Sequence, residues 1–96
     1  MNFTQIKKNV IPILKSHQVS KAAIFGSYAD GSPTRRSDID ILIDFGKNKN
    51  KKSLLDLIGL EQELEIATKT KVDLVTSDSI YPPLKKIIAK QQKTIL

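Results

Sequence analysis

Two hydrophobic periods alternate along the chain. Phe3, Ile6, Val10, Ile13 and Leu14 recur at helical spacing, which predicts an N-terminal helix with Asn2 or Thr4 as its cap. Pro12 lies inside that pattern and should kink the helix or mark a fresh start near Val10. The run Lys21 to Phe25 (KAAIF) stops at Gly26 and predicts a short buried strand. Residues Gly26 to Arg36 are rich in turn formers, with room for one helical turn at the start. From Ile39 to Phe45 the period becomes two: Ile39, Ile41, Ile43 and Phe45 share one face, and Asp40, Leu42 and Asp44 the other. Ser53 with Asp56 three residues on resembles a capping box. Leu57, Leu60, Leu64 and Ala67 then carry a second helix to about Lys69, with Gly59 a modest local cost. Lys71 to Thr76 reads as a third strand, and Pro82 and Pro83 suit the start of a last helix bearing Leu84, Ile87 and Ile88.

The order helix, strand, loop, strand, helix, strand, helix predicts a two-layer α+β fold. Its core is a small mixed sheet of about three or four strands packed by helices. At 96 residues, with no internal repeat and no linker, residues 1–96 are expected to form one domain. A chain of this length buries only about 60–65% of its unfolded surface, so there is little room for a separate substrate-recognition domain. The absence of cysteine removes disulfides and thiolate zinc sites. The sequence shows no signal-peptide pattern and no apolar stretch long enough to span a membrane, so the expected compartment is the cytoplasm.

Charge changes this picture only in part. Fourteen lysines and two arginines against ten acids give a net charge of +6, which suits a polyanionic partner. Lys47, Lys49, Lys51 and Lys52, however, cluster in an Asn-rich stretch that reads as a solvated loop tip. Arginine and aromatic residues, which make most base contacts, are scarce, and that weighs against direct nucleic-acid binding.

The chemistry concentrates between Gly26 and Asp40, in GSYADGSPTRRSDID. Gly26-Ser27 stands where a buried strand ends and the chain turns. Exposed backbone N–H groups there, together with the Ser27 hydroxyl, suit a phosphate. Asp38 and Asp40 are two residues apart on a strand, so their side chains share a face about 6–7 Å apart. Carboxylates that close repel unless solvent or a cation separates them, and magnesium prefers such oxygen ligands while keeping positions for water and phosphate. Asp73 interrupts the apolar run Val72-Asp73-Leu74-Val75, and a strand beside Ile39–Phe45 could bring it to the other two. Each feature alone has a bland explanation; three acids beside a phosphate-type turn do not.

The sequence resembles the nucleotidyltransferase superfamily, which includes polymerase beta, and most closely its minimal, MNT-type branch. That family shows Gly-Ser, ten residues, Asp-x-Asp, and a later carboxylate on another strand. Here Gly26-Ser27 is followed by ten residues, Asp38-Ile39-Asp40 and then Asp73, with Ser37 directly before the first acid. The resemblance extends over roughly residues 10–90. It implies transfer of a nucleotidyl group from a nucleoside triphosphate such as ATP, with pyrophosphate released. Asp38, Asp40 and Asp73 would hold two Mg2+ ions, Asp73 on the acceptor side, while Gly26, Ser27 and Ser37 would lie on the nucleotide side. Where the family commonly has Gly-Ser-x-Ala-Arg-Gly, this chain has Asp30 in place of the arginine.

Minimal members of the family are often antitoxins paired with a helical HEPN ribonuclease toxin. The resemblance therefore implies AMP transfer to a tyrosine hydroxyl on that partner. A small-molecule nucleotidyltransferase would need a further helical domain. A binding-only antitoxin subunit is favoured by Asp30 but opposed by the intact carboxylate triad. His17 has no metal-ligand companions and reads as a polar residue ending the first helix, Tyr28 as a packing residue, Asp44 as solvent-exposed, and Lys71 as a surface lysine.

Overall fold

The computed structural model of the chain describes residues 3–25, 38–80, 82, 83, 86, 90 and 92–96. Helix α1 (Phe3–Ser16) buries Ile6, Val10 and Leu14 on one side. It runs through Pro12 as one element, so the fresh start near Val10 does not occur. Pro12 forfeits one backbone hydrogen bond, at a cost of order 3 kcal/mol in a helix interior. Three fully buried aliphatic side chains on the same helix, each worth roughly 1.5–3 kcal/mol, outweigh that loss. The helix ends in a Schellman motif: Val19 N–H donates to Leu14 O at 3.0 Å and Gln18 N–H to Lys15 O at 3.0 Å, with Gln18 at φ 64°. This turn delivers the chain to β1 (Lys21–Phe25).

Strand β2 (Ile39–Asp44) alternates as the sequence predicts, with Ile39, Ile41 and Ile43 buried and Asp40, Leu42 and Asp44 partly exposed. The lysine-rich stretch is not an open loop but a 3-10 turn over Gly46–Lys51. Gly46 (φ +57°) is required at its start, because a Cβ there would meet Ser20 Cβ and Oγ at 3.0 Å. Helix α2 (Leu54–Thr68) begins with the expected capping box. Asp56 N–H donates to Ser53 Oγ at 3.3 Å and Ser53 N–H to Asp56 Oδ2 at 2.8 Å, and that backbone donor holds the Asp56 carboxyl below its ordinary value. The helix closes at Lys69 in the left-handed region. Strand β3 (Val72–Thr76) follows, then a short 3-10 turn (Ser77–Ser79). Pro82, Pro83, Lys86 and Lys90 are helical, whereas Leu84, Ile87 and Ile88 lie outside the described residues. A two-residue strand, β4 (Lys93–Thr94), completes the sheet.

The sheet order is β3-β2-β1-β4. β1 pairs antiparallel with both β2 and β4, and β2 pairs parallel with β3, so the sheet is mixed. One core joins α1, α2 and the inward face of the sheet through Ile6, Leu14, Ile24, Ile41, Leu60 and Leu64, all fully buried. The parallel pair needs a crossover, and α2 supplies it between β2 and β3. No helix among the described residues is long and apolar enough to cross a membrane.

The capping box sets where α2 starts and therefore how the crossover is aimed. Ser53→Ala should cost about 1 kcal/mol in urea unfolding, and Ser53→Asn should keep most of the native stability because its side chain also accepts at a helix N-terminus. Equal stability of Ser53→Ala and the native chain would show that the cap contributes nothing.

Candidate active site

The parallel register of β2 and β3 makes Asp40 and Asp73 direct neighbours across the sheet, as it does Ile39 and Val72. Side chains alternate, so the register that packs Ile39 over Val72 in the core sets the two aspartates together on the opposite face. Asp38 immediately precedes β2, two residues before Asp40. The described chain leaves β1 at Phe25, whose register partner is Asp40, and resumes at Asp38. All three acids thus stand where the described strand ends meet.

Among the described residues their electrostatics are those of an acidic cluster with one weak counter-charge, Lys71. Partial burial pushes the Asp40 carboxyl up to about 6, with help from the charges of Asp73 and Asp38 and a hydrogen bond to Asp73. Asp73 itself is exposed, and the Asp38 carboxylate is 4.0 Å from Lys71 Nζ in a solvent-exposed ion pair. Two glutamates of α2 reach the same corner. Glu65 Oε2 accepts the Val72 N–H at 3.0 Å, directly before Asp73. Glu61 is raised above its ordinary value by burial and then by the charges of Glu65 and Asp73, against the opposing effect of Lys71.

Among the described residues, no three carboxylate or imidazole side chains converge closely enough to enclose a metal ion by themselves. The donor set nevertheless suits magnesium. An open group of carboxylates, one of them raised by partial burial and by the charges of its neighbours, provides a few hard oxygen ligands and leaves the remaining positions to water and phosphate. The carboxylate face is open to solvent; a cavity of about 380 Å³ lies at the other end of β2 and β3, lined by Phe45, Lys52, Leu57, Thr76 and others.

Of the site residues expected from sequence, Asp38, Asp40 and Asp73 are brought to one corner of the sheet. Gly26, Ser27 and Ser37, as well as Tyr28 and Asp30, lie outside the described residues. Lys71 is exposed, as a surface lysine should be, but it also faces Asp38. His17 follows α1 and its Nε2 lies 3.1 Å from Glu63 Oε2, tying the end of α1 to α2. Sequence reasoning missed Glu61 and Glu65. No local signal marks them, because their importance comes from the packing of α2 beside the β3 edge.

The raised Asp40 makes stability depend on pH. The unfolded carboxyl ionises near 3.8 and the folded one near 6, so the folded chain binds the proton more tightly. Stability should fall as pH rises through that window, with the full penalty present above it. In metal-free buffer, Asp40→Asn should therefore melt above the native chain at about pH 8, and the two should converge near pH 4. An advantage of the same size at both pH values would mean that ionisation of Asp40 carries no such penalty.

Comparison with known proteins agrees with this geometry. Residues 8–96 match the polymerase beta nucleotidyltransferase family. A Methanocaldococcus jannaschii protein named "Putative protein adenylyltransferase MJ0435" is 47% identical over 96 residues, the full length of both chains. A crystal structure of a toxin–antitoxin with AMP-PNP superimposes with a TM-score of 0.81 at 27% identity, over 94% of this chain and 72% of that one. The same fold occurs, at 23% identity and a TM-score of 0.74, in a complex of tri-AMPylated HEPN toxin with MNT antitoxin from Shewanella oneidensis, over 97% of this chain and 71% of that one. With its family matched over nearly all its length and its sheet setting Asp40 against Asp73, the chain belongs to the polymerase-beta-type nucleotidyltransferases, in their minimal, MNT branch.

Proposed function

We propose that this chain, acting as a single domain over residues 1–96 in the cytoplasm, transfers AMP from ATP to a hydroxyl of a protein partner, a tyrosine of a HEPN-type toxin. The observation that carries this is the in-register pair Asp40 and Asp73 with Asp38 beside it. The adenylyltransferase name of its full-length relative and the AMP-PNP-bound toxin–antitoxin of the same fold support the donor and the partner class. A chain this small encloses no acceptor of its own, which favours one presented by another protein.

In the transfer, the hydroxyl oxygen attacks the α-phosphorus of ATP, the bond from that phosphorus to the bridging oxygen of the β-phosphate breaks, and pyrophosphate leaves. Asp38, Asp40 and Asp73 would hold two magnesium ions, whose charge when bound would neutralise the triphosphate and the developing charge. Asp73, exposed at the sheet corner, faces the incoming hydroxyl and helps take its proton. Asp40, half-buried between the other two, fixes their spacing through the strand register. Gly26, Ser27 and Ser37 hold the phosphates and the nucleotide side. The binding-only alternative shares the partner but needs none of these carboxylates.

Incubation with ATP, magnesium and the HEPN-type partner should raise the partner's mass by one AMP or a multiple of it. Asp38→Asn or Asp40→Asn should reduce transfer at least about 100-fold without unfolding the chain. Asp73→Asn should lose the modification and keep the complex. A toxin that is neutralised yet unmodified would sink the catalytic reading in favour of binding alone.

A further inference from the structure

Helix α2 carries more apolar surface than its own packing uses. Leu60, Leu64 and Thr68 point into the core. On the opposite side, Leu55, Ile58, Gly59, Gln62 and Ile66 follow helical spacing along one outward stripe about 16 Å long. Leu55 is 79% exposed, Ile66 77% and Ile58 41%. Single exposed apolar residues are common, but three large ones on one helix face, separated there only by Gly59 and Gln62, are not. Acids border it on both sides. Glu63, on one flank, meets His17 at the end of α1, and Glu65, on the other, meets Val72 at the start of β3. The helix holds four acids (Asp56, Glu61, Glu63, Glu65) and no base, in a chain of net charge +6. Gly59 adds an independent observation. It stands in the helix interior, where glycine is unfavourable, and a Cβ there would meet nothing within 4 Å. Among the described residues, nothing in the chain requires it.

Resting on the transfer to a protein hydroxyl proposed above, we propose that the outward stripe of α2 docks the acceptor protein through a helix whose apolar residues are flanked by lysine and arginine. The acid borders call for basic flanks on the occupant. A second copy placing α2 against α2 would set acid against acid, so the borders disfavour that occupant. Gly59 leaves room for a partner backbone to come close. The Glu65 flank adjoins Val72 and Asp73, so a protein seated on the stripe stands next to the carboxylates.

The test is binding of the full chain to the HEPN-type partner proposed above, measured by titration calorimetry without ATP. Leu55→Ser combined with Ile66→Ser should fold normally, because both side chains are exposed, and should weaken the complex at least about tenfold. Gly59→Ala should raise the melting temperature of the free chain, as expected for a solvent-facing helix position, yet weaken the complex. A purely structural role could not move the two in opposite directions. The native complex should also loosen as salt rises. Native affinity in either variant, or no complex with the native chain, would overturn the proposal. So would a dimer of the chain alone that the double serine variant dissociates. A native complex that forms but leaves the acceptor unmodified would sink the transfer chemistry and leave the docking surface standing. Transfer at an unchanged KM in the double serine variant would do the reverse.

Discussion

The parallel pairing of β2 with β3 is the constraint on which the rest depends. Ile39 N–H donates to Lys71 O at 2.9 Å, and Ile39 and Val72, both fully buried, face each other in the core. Because side chains on a strand alternate, this pairing leaves Asp40 and Asp73 no choice but to meet on the other face. A slip of one residue would turn Asp73 inward and expose Val72 or Leu74. Each buried aliphatic side chain contributes roughly 1.5–3 kcal/mol, and Ile39, Ile41, Ile43 and Val72 all favour the observed register. Repulsion between the partly buried Asp40 and the exposed Asp73 carboxylate is smaller, because solvent screens it. Hydrophobic burial therefore holds the acids together against their own preference.

That opposition explains features around the corner. β3 is an edge strand, and its first outward N–H would otherwise be free to recruit another chain. Glu65 takes that donor, which pins the start of β3 to α2 and adds another negative charge near Asp73. Lys71 answers with a cation toward Asp38, but at 4.0 Å and well exposed it is a weak counterweight. Among the described residues the corner is left short of positive charge, and the strand register is what prevents it from relaxing.

Much of this was legible in the chain because it is local. The alternation of Ile39, Ile41 and Ile43 sets which face Asp40 occupies, and Ser53 with Asp56 announces the start of α2. What was not legible is set by distance in sequence. Nothing in Val72–Thr76 says that it pairs parallel to β2, and Lys93–Thr94 is too short to show any period; it exists because β1 has a free edge. Helical spacing picks out Leu60 and Leu64 correctly, but it cannot say that Leu55 and Ile66 of the same helix face solvent, because α2 carries apolar residues on both its core and its outward faces. Pro12 shows the reverse failure, where a strong local signal yields to the packing of Ile6, Val10 and Leu14.

The charge distribution connects the fold with its chemistry. The chain has a net charge of +6, yet Asp38, Asp40, Asp73, Glu61 and Glu65 gather near one corner. A triphosphate is drawn toward the molecule by the lysine excess at distances beyond about 10 Å only when salt is low, and within that range it meets the local acids. Local acids of this kind disfavour a bare polyanion, and divalent cations are the general means by which phosphate and carboxylate oxygens are brought together. One local excess of negative charge, fixed by an apolar register on the reverse of the sheet, is thus the electrostatic feature that any ligand of this corner meets.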